Sequence, residues 1–310
     1  MTAQLHKFAL IGFGEAGAIL GEDLAAAGRD VIMYDILLDA PASRERMLEK
    51  ARRAHVRAAG TFEDAVAGVQ VVISAVTASS SADVAGKASK SLRPGQVLLD
   101  INSVSPAKKL SNASLVEAAG ADYVEAAVMA PVPPQRLRVP MLLGGKRASE
   151  LAVELRNVGM NTTALSEQIG VASAVKMCRS IVIKGLEALT MESMLAARRF
   201  GAEREVLESL HGTFPSMGWT GQLPDYLVSR VAEHGRRRAA EMREVARTLQ
   251  DVGIEPTMAL AAAARQDWLI DAMTSKGLTY SSLSSPFSWR DLADYLTADG
   301  LTTDRLTKDT

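Results

Sequence analysis

Cysteine and histidine are scarce in this sequence. Its 310 residues include one cysteine, Cys178, and four histidines. A single cysteine excludes an intramolecular disulfide framework and a cysteine-rich metal site. The histidines, at positions 6, 55, 211 and 234, lack the spacing of metal ligands, so no metal is expected. Cys178 itself is expected to be a small, buried, hydrophobic residue.

Excess charge and long apolar runs are also missing. The 35 Lys and Arg residues and 36 Asp and Glu residues give a net charge of −1, which argues against nucleic-acid or membrane binding through bulk charge. No uncharged apolar run reaches the roughly 18 residues that a membrane helix needs. An apolar stretch at 8–20 resembles a signal peptide, but Glu15, Glu22 and Asp23 disagree with that interpretation. We therefore expect a cytoplasmic protein with no nucleic-acid or membrane partner.

The first half of the sequence alternates short apolar runs with helical patterns. Strands are predicted at 6–11, 31–35, 70–76, 96–101, 123–128 and 140–143, and helices at 15–27, 81–91 and 106–119. This alternation is typical of parallel βαβ units, in which helices cover both faces of the sheet. An α/β domain is therefore expected.

The second half has a different pattern. From about residue 148 the strand signals stop, and Ala, Leu, Met, Glu and Arg dominate. One long helix is predicted at 166–199, which at 1.5 Å per residue spans about 50 Å. Further helices are predicted at 223–232, 236–252 and 256–275, and the last twenty residues are expected to form a loosely packed polar tail. At about 150 residues per domain, we expect an α/β domain at 1–164 and an all-α domain at 165–310.

Residues 12–17 form the motif G-x-G-x-x-G, directly after a predicted strand and at the start of a predicted helix. That context indicates a dinucleotide-binding loop. The first glycine allows a tight turn, the second lets the backbone approach a pyrophosphate, and the third lets helix and strand pack closely. The candidate cofactor-binding residues are Gly12, Phe13, Gly14, Glu15, Ala16 and Gly17. The alternative interpretation is an ordinary strand–turn–helix with spare glycines.

A carboxylate ends the second predicted strand. Asp35 lies 18 residues after Gly17, where an acidic side chain accepts hydrogen bonds from the adenosine ribose and repels a 2′-phosphate. NAD is therefore favoured over NADP as the cofactor. Arg44 and Arg46 lie further on and leave NADP as a second candidate. The alternative role of Asp35 is to cap a turn.

Polar residues follow two more predicted strands. Thr77 follows the strand at 70–76, and Asn102 and Ser103 follow the strand at 96–101. The carboxyl ends of strands in an open parallel sheet are where ligands bind. Thr77 and Asn102 are candidate cofactor contacts, and Asn102 and Ser103 are candidate substrate contacts. The alternative is a helix start, with Ser105 as the cap and Pro106 at the first helical position.

Lys176 lies among Ala, Val and Met residues on the predicted long helix. A lysine that is partly removed from water becomes a usable general acid or base. Ser180 and Lys184 follow at intervals of one helical turn, so they share its face. The alternative is a lysine whose stem packs in a seam between helices while its amine reaches solvent.

These motifs, in this order, resemble those of the β-hydroxyacid dehydrogenases, the family of 3-hydroxyisobutyrate dehydrogenase, tartronate semialdehyde reductase and 6-phosphogluconate dehydrogenase. The resemblance covers nearly the whole chain and rests on 12–17, Asp35, 100–106, 123–129 and 170–180. It implies an α/β Rossmann N-terminal domain joined by a long interdomain helix to an all-α C-terminal domain, in a homodimer. It also implies hydride transfer at the nicotinamide C4, with Lys176 as the catalytic general acid or base.

The substrate-binding positions depart from the family pattern. The family's Asp-Ala-Pro-Val-Ser-Gly-Gly loop is Glu-Ala-Ala-Val-Met-Ala-Pro at 125–131, so Met129 replaces the serine that grips a small acid's carboxylate. The asparagine one turn after the family lysine is Ser180 here, and Arg237 or Arg238 substitutes for a Lys-Asp pair of a later helix. The resemblance therefore points to a divergent subgroup, with Asn102, Ser103, Met129 and Ser180 as the candidate substrate contacts.

Two other functions fit the same sequence. An imine reductase is built on this scaffold, but those enzymes usually have Asp or Tyr where Lys176 lies. A catalytically silent sensor would bind the dinucleotide and tolerate loss of Lys176. The leading hypothesis is an NAD(P)-dependent dehydrogenase that acts on a β-hydroxy acid or a related alcohol.

Overall fold

The computed structural model describes residues 5–297. They form two compact units, the first ending at Cys178 and the second beginning at Arg179. The division falls inside a helix rather than in a linker. The domain boundary predicted from the sequence, after residue 164, precedes that helix.

The first unit is built on one eight-stranded sheet. Its strands are β1 (Lys7–Ile11), β2 (Asp30–Tyr34), β3 (Arg57–Ala58), β4 (Val71–Ser74), β5 (Val97–Asp100), β6 (Asp122–Val128), β7 (Met141–Gly144) and β8 (Thr162–Ser166). The order across the sheet is β3-β2-β1-β4-β5-β6-β7-β8, and all neighbours are parallel except β6 and β7. Strands β2 and β3 are added on one side of β1, and β4 and the strands after it are added on the other side. At such a switch point, between β1 and β4, the carboxyl ends of the strands form a ligand-binding crevice.

Helices cover the sheet because their apolar residues recur every three or four positions. Those of the first unit are α1 (Glu15–Ala26), α2 (Pro41–Arg53), α3 (Phe62–Val66), α4 (Ser81–Ser91), α5 (Pro106–Ala118), α6 (Val132–Gln135) and α7 (Ala148–Asn157). In α1, for example, Gly17, Leu20, Gly21 and Leu24 are buried. The four residues of β4 and the four of β5 are all buried, as expected of central strands covered on both faces.

The second unit is helical. The long helix α8 (Val171–Phe200) runs across the division between the units, and α9 (Glu203–Thr213), α10 (Leu223–Asp251), α11 (Thr257–Ser275) and α12 (Trp289–Thr297) follow it. Met191, Val231, Leu269 and Leu292 are fully buried in the core of this unit. The predicted fold class, a Rossmann domain followed by an all-α domain with a long helix between them, is confirmed.

The expectation that strands stop near residue 148 was wrong, because β8 (Thr162–Ser166) pairs with β7. Its sequence, Thr-Thr-Ala-Leu-Ser, is mostly polar, and its burial is incomplete as expected of an edge strand. The Thr162 hydroxyl is buried and donates to the carbonyl oxygen of Ala152 at 2.9 Å. A polar edge strand lacks the continuous apolar run by which the central strands were predicted.

The gap predicted between helices at 232 and 236 is absent, since α10 is continuous from Leu223 to Asp251. Gly235 lies in the predicted gap and has a packing role. A Cβ added to Gly235 would lie 2.6 Å from a side-chain carbon of Ile270 and 2.8 Å from the carbonyl oxygen of Gln266. The glycine thus lets α10 and α11 approach closely.

The loosely packed tail expected over the last twenty residues was wrong in its first part. Helix α12 continues into these residues and buries Leu292 and Ala293. Directly before them, the backbone N–H of Trp289 donates to Asp225 at 2.9 Å. The rest of the expected tail, at 298–310, lies outside the described residues. Within residues 5–297, no helix has the length and apolar character needed to cross a membrane.

Candidate active site

The glycine-rich loop connects β1 to α1 as the motif predicts. Gly12 has a φ of +88°, and a Cβ there would lie 2.5 Å from the carbonyl oxygen of Ala75. A Cβ on Gly17 would lie 2.0 Å from the carbonyl oxygen of Gly12, so helix and loop pack tightly. A Cβ added to Gly14 would have open space within 4 Å, apart from its two chain neighbours and the nearby backbone of its own helix, among the residues that the structure describes. The N–H groups in the first turn of α1 lack intrahelical partners, so this loop can hold a pyrophosphate.

Asp35 follows β2 and contacts the same loop. Its Oδ2 accepts the N–H of Phe13 at 2.7 Å, and its Oδ1 accepts the N–H of Leu37 at 3.0 Å. The turn-capping role considered as an alternative is therefore present. Each carboxylate oxygen can accept a further hydrogen bond, so the predicted contact of Asp35 with the ribose stays compatible with this geometry.

A buried polar network lies at the end of β5. Asp100 is 2% exposed and Lys109 is 1% exposed, and they form an ion pair with 2.9 Å between Oδ1 and Nζ. The hydroxyl of Tyr123 donates to the Asp100 Oδ2 at 2.6 Å. Burial, together with the charge of Asp100, raises the pKa of the Tyr123 hydroxyl well above its ordinary value. The tyrosine therefore keeps its proton and remains a donor to Asp100.

Asn102 extends this network toward β4. Its Oδ1 accepts the N–H of Val76 at 2.7 Å, and its Nδ2 donates to the Ser74 hydroxyl at 2.8 Å. The Asn102 N–H donates to the Asp100 Oδ1 at 2.9 Å. These bonds fix the backbone that leads into Ser103. The direct contacts of the Asn102 side chain with substrate and cofactor stay predictions.

Ser103 and Lys176 come together from distant parts of the sequence. They are 73 residues apart, and the Lys176 Nζ lies 2.6 Å from the Ser103 Oγ. Both residues are partly buried. Ser103 follows β5 at the carboxyl edge of the sheet, where open parallel sheets bind their ligands. An amine and a hydroxyl are thus paired at the edge where the sequence predicts chemistry.

Glu125 on β6 anchors the start of the helix that carries Lys176. It is fully buried. Its Oε1 accepts the N–H groups of Gly170 at 2.6 Å and Ala172 at 3.1 Å, and its Oε2 accepts the N–H of Ser173 at 3.3 Å. A carboxylate at a helix N-terminus satisfies unpaired N–H groups and matches the positive end of the helix dipole. Glu125 therefore holds α8 against the sheet just before Lys176.

Thr77 and Met129 lie in loops at the same edge of the sheet. Thr77 follows β4 and is exposed, and its Oγ1 lies 2.9 Å from the Ser79 hydroxyl. Met129 follows β6 and is partly buried, and its N–H donates to the carbonyl oxygen of Pro140 at 2.9 Å. Their contacts with cofactor and substrate stay predictions.

The second unit has a buried ionic cluster of its own. The Ser180 hydroxyl accepts from the Lys184 Nζ at 3.0 Å, and Lys184 pairs with Glu241 at 3.0 Å. Arg238 pairs with Glu187, whose carboxyl pKa is raised by burial even though Arg238 acts in the opposite direction. The proposed substrate contact of Ser180 stays a prediction.

Cys178 does not have the environment expected from the sequence. It is an exposed free thiol rather than a small buried hydrophobic residue. It lies two positions from Lys176 on α8, and neighbouring buried positions such as Ala172 and Met177 supply the packing face. The error arose because cysteine was assigned by its average burial rather than by its position on the helix.

Comparison with known proteins agrees with this geometry. Residues 7–154 match the family described as the NAD binding domain of 6-phosphogluconate dehydrogenase, and residues 197–269 match DUF1932, a domain of unknown function. The chain is similar to a conserved hypothetical protein from Sinorhizobium meliloti, with 34% identity, a TM-score of 0.75, and coverage of 95% of this chain and 96% of that one. It is also similar to a conserved protein of unknown function described as structurally similar to 3-hydroxyacid dehydrogenases, with 31% identity, a TM-score of 0.68, and coverage of 86% and 98%.

The fold is shared more widely. A Mycobacterium tuberculosis 3-hydroxyisobutyrate dehydrogenase has a TM-score of 0.70 at 16% identity, with coverage of 94% of this chain and 99% of that one. The match of residues 7–154 to that NAD-binding family makes the first unit a dinucleotide-binding Rossmann domain. The chain belongs to the β-hydroxyacid dehydrogenase and 6-phosphogluconate dehydrogenase-like superfamily, in a divergent subgroup whose second domain matches DUF1932.

Sequence reasoning missed two residues that shape the site, Glu125 and Lys109. Both are charged residues that the structure buries. The available signal was a glutamate inside an otherwise apolar strand, since a buried charge requires a partner. The partner of Glu125 is backbone rather than a side chain, and no residue pattern identifies such a partner.

Proposed function

We propose that this protein is an NAD-dependent oxidoreductase that transfers hydride between the nicotinamide and a β-hydroxy acid or a related alcohol, with Lys176 as the general acid or base. The observation that carries the proposal is the 2.6 Å contact between the Lys176 Nζ and the Ser103 Oγ. This contact lies at the carboxyl edge of the sheet in the dinucleotide-binding domain. A general base must lie within hydrogen-bonding reach of the proton that it takes. A substrate hydroxyl beside the Ser103 hydroxyl, within reach of the same amine, meets that requirement.

The proposed reaction balances with the residues present. When bound, NAD supplies a hydride acceptor at the nicotinamide C4. In the oxidation, the neutral amine of Lys176 would accept the proton of the substrate hydroxyl, and the hydrogen on the same carbon would pass as hydride to the bound nucleotide. The products would be a carbonyl compound, NADH and a protonated Lys176. In the reduction, Lys176 donates that proton to the carbonyl oxygen. Ser103 orients the Lys176 amine throughout.

The other residues of the first unit hold this pair in place. Asn102 and the Asp100–Lys109 ion pair fix the loop that carries Ser103, and Glu125 fixes the start of the helix that carries Lys176. Rigid support of this kind keeps reacting groups in productive geometry. Because Met-Ala-Pro replaces the family's Ser-Gly-Gly at 129–131, we propose a substrate that is larger or less acidic than a small hydroxy acid.

The proposal is tested by initial rates of NAD and NADP reduction on hydroxy acids and alcohols, including small, sugar-like and aromatic compounds. We expect turnover with one chemical class, and the larger members of that class to be preferred. Tight NADH binding without turnover on any compound would contradict the dehydrogenase and favour the sensor or the imine reductase. Reduction of cyclic imines by the same preparation would separate those two.

The assignment of Asp35 predicts a shift in cofactor preference. In the double variant Asp35→Ala/Ile36→Arg, the carboxylate is lost and an arginine replaces an exposed isoleucine beside it. We expect the ratio of kcat/KM for NADP to that for NAD to rise by at least about tenfold, because a 2′-phosphate no longer meets the carboxylate and gains a cation. Ile36→Ala is the control and should leave the ratio unchanged. An unchanged ratio in the double variant would contradict the ribose role of Asp35.

We also propose that the protein is a homodimer. The support is its family and the exposure on α11 of apolar residues such as Met258 and Trp268. Sedimentation velocity at micromolar concentration should give about twice the 33.0 kDa chain mass, and a monomer at that concentration would contradict the proposal.

A further inference from the structure

Lys50 lies on α2 and reaches the glycine-rich loop of the dinucleotide site. Its Nζ donates to the carbonyl oxygen of Phe13 at 2.7 Å and to that of Gly14 at 2.8 Å. The same Nζ lies 5.8 Å from the centre of the Phe13 ring. A helix that is not adjacent to the loop in sequence thus supplies it with a charged donor.

Lys50 and Asp35 hold the same loop residue at its two ends. The Phe13 N–H donates to Asp35 at 2.7 Å, and the Phe13 carbonyl accepts from Lys50 at 2.7 Å. Hydrogen bonds with a charged partner are stronger than neutral ones. The loop backbone at Phe13 therefore cannot rotate without breaking one of two charge-assisted bonds.

The second bond of Lys50 extends this restraint into α1. The Gly14 carbonyl accepts from Lys50 and also accepts the first intrahelical bond of α1, from the Ala18 N–H at 3.2 Å. Lys50 thus fixes Gly14, the residue directly before α1. The orientation of the first-turn N–H groups, which bind phosphate in this class of site, depends on that residue.

The environment of Lys50 differs from that of an ordinary surface lysine. Partial burial lowers the pKa of its amine, and the carboxylates of Asp35 and Glu15 act in the opposite direction. A desolvated amine that bonds two backbone carbonyls in the loop has a defined position. Arg53, on the same helix, has a side chain that is 78% exposed and pairs with Glu49 instead.

We propose that Lys50 is a positioning residue for dinucleotide binding, which together with Asp35 holds the glycine-rich loop in its binding conformation. The inference rests on the dinucleotide binding in the proposed function, and it is independent of the role of Lys176. Lys50 acts through the loop backbone, so its loss should weaken nucleotide binding and leave the chemical step unchanged once the enzyme is saturated.

The test is the Kd for NADH, measured by fluorescence titration of the full-length protein. We expect Lys50→Met to raise this Kd by roughly tenfold, as for the loss of hydrogen bonds from a charged donor. Lys50→Arg, which keeps the charge and offers several donors, should restore most of the affinity. Arg53→Met removes the same charge from the same helix and should bind NADH like the wild type. Once a substrate has been identified, Lys50→Met should raise KM for NAD and leave kcat at saturating NAD unchanged.

Several outcomes would overturn the role of Lys50. The first is a Kd for NADH in Lys50→Met within twofold of the wild-type value. The second is an equal rise of this Kd in Arg53→Met. The third is a Lys50→Arg variant that melts at the wild-type temperature but does not recover NADH affinity. Should Lys50→Met fail to fold, Lys50→Ala removes the same amine and both of its hydrogen bonds, and a wild-type Kd in that variant would overturn the role equally. Wild-type protein that binds neither NADH nor NADPH would contradict the proposed function itself.

Discussion

Replacing Lys176 with alanine is expected to reduce kcat by about 10²- to 10⁴-fold, the range that a general acid or base contributes. The amine that takes or gives the proton is lost, while the glycine-rich loop and Asp35 are untouched. The Kd for NADH should therefore stay close to the wild-type value. Steady-state rates on the substrate found in the panel, combined with an NADH titration of the same preparations, measure both quantities.

The matched control is Cys178→Ala on the same helix. Cys178 is exposed and lies two positions from Lys176, so its loss should leave kcat unchanged. Lys176→Arg keeps a cation that does not readily release its proton, and it should be nearly as slow as Lys176→Ala. A Lys176→Ala enzyme within about threefold of the wild-type kcat would contradict general acid or base catalysis by Lys176.

Lys109→Met is expected to lower the free energy of unfolding by about 3–5 kcal/mol, as for other broken buried ion pairs. The substitution preserves most of the side-chain volume and removes the cation that compensates Asp100. Lys109 also donates to the Asp100 backbone carbonyl at 2.8 Å, so that acceptor loses this donor too. Urea unfolding followed by circular dichroism measures the loss.

Lys90→Met is the control for this prediction. Lys90 is an exposed residue on α4, and surface substitutions of this kind change stability by less than about 0.5 kcal/mol. A loss below about 1 kcal/mol in Lys109→Met would show that Tyr123 and the backbone stabilise Asp100 without the ion pair. Because Asp100 leads into Asn102 and Ser103, a folded Lys109→Met protein should also have a lower kcat.

The Rossmann half could be predicted well from the sequence because its signals are local. Central parallel strands are short apolar runs, and the glycine-rich motif has its meaning only between a strand and a helix. The glycines at 12 and 17 lie where the motif requires them, and a Cβ at either position would collide with backbone. The helix at 81–91 was predicted with the bounds of α4.

The elements that were missed depend on contacts made far along the chain. β8 is a polar strand that exists because β7 offers it an edge. The continuity of α10 through Gly235 goes with the close approach of α11, which an added Cβ would prevent. Helix propensity and hydrophobic period describe a segment alone, and tertiary contacts override both.

The candidate site shows the same difference between local sequence signals and contacts made only in the folded chain. Lys176 and Ser103 were both candidates from their own surroundings, but only the folded chain brings them within 2.6 Å. Glu125 and Lys50 act on backbone groups, at 2.6 Å from Gly170 and 2.7 Å from Phe13. Every residue carries such backbone groups, so no spacing of residue types marks the ones that will be bound.

Hydride transfer with Lys176 as the proton acceptor is tested most directly by a substrate deuterated at its hydroxyl-bearing carbon. With wild-type protein and NAD, we predict that the deuterium is recovered at the nicotinamide C4 and that the rate shows a primary isotope effect. In Lys176→Ala the label should reach the same carbon far more slowly. Oxidation of the substrate without deuterium in the nucleotide, or label transfer by Lys176→Ala at the wild-type rate, would contradict the proposed function.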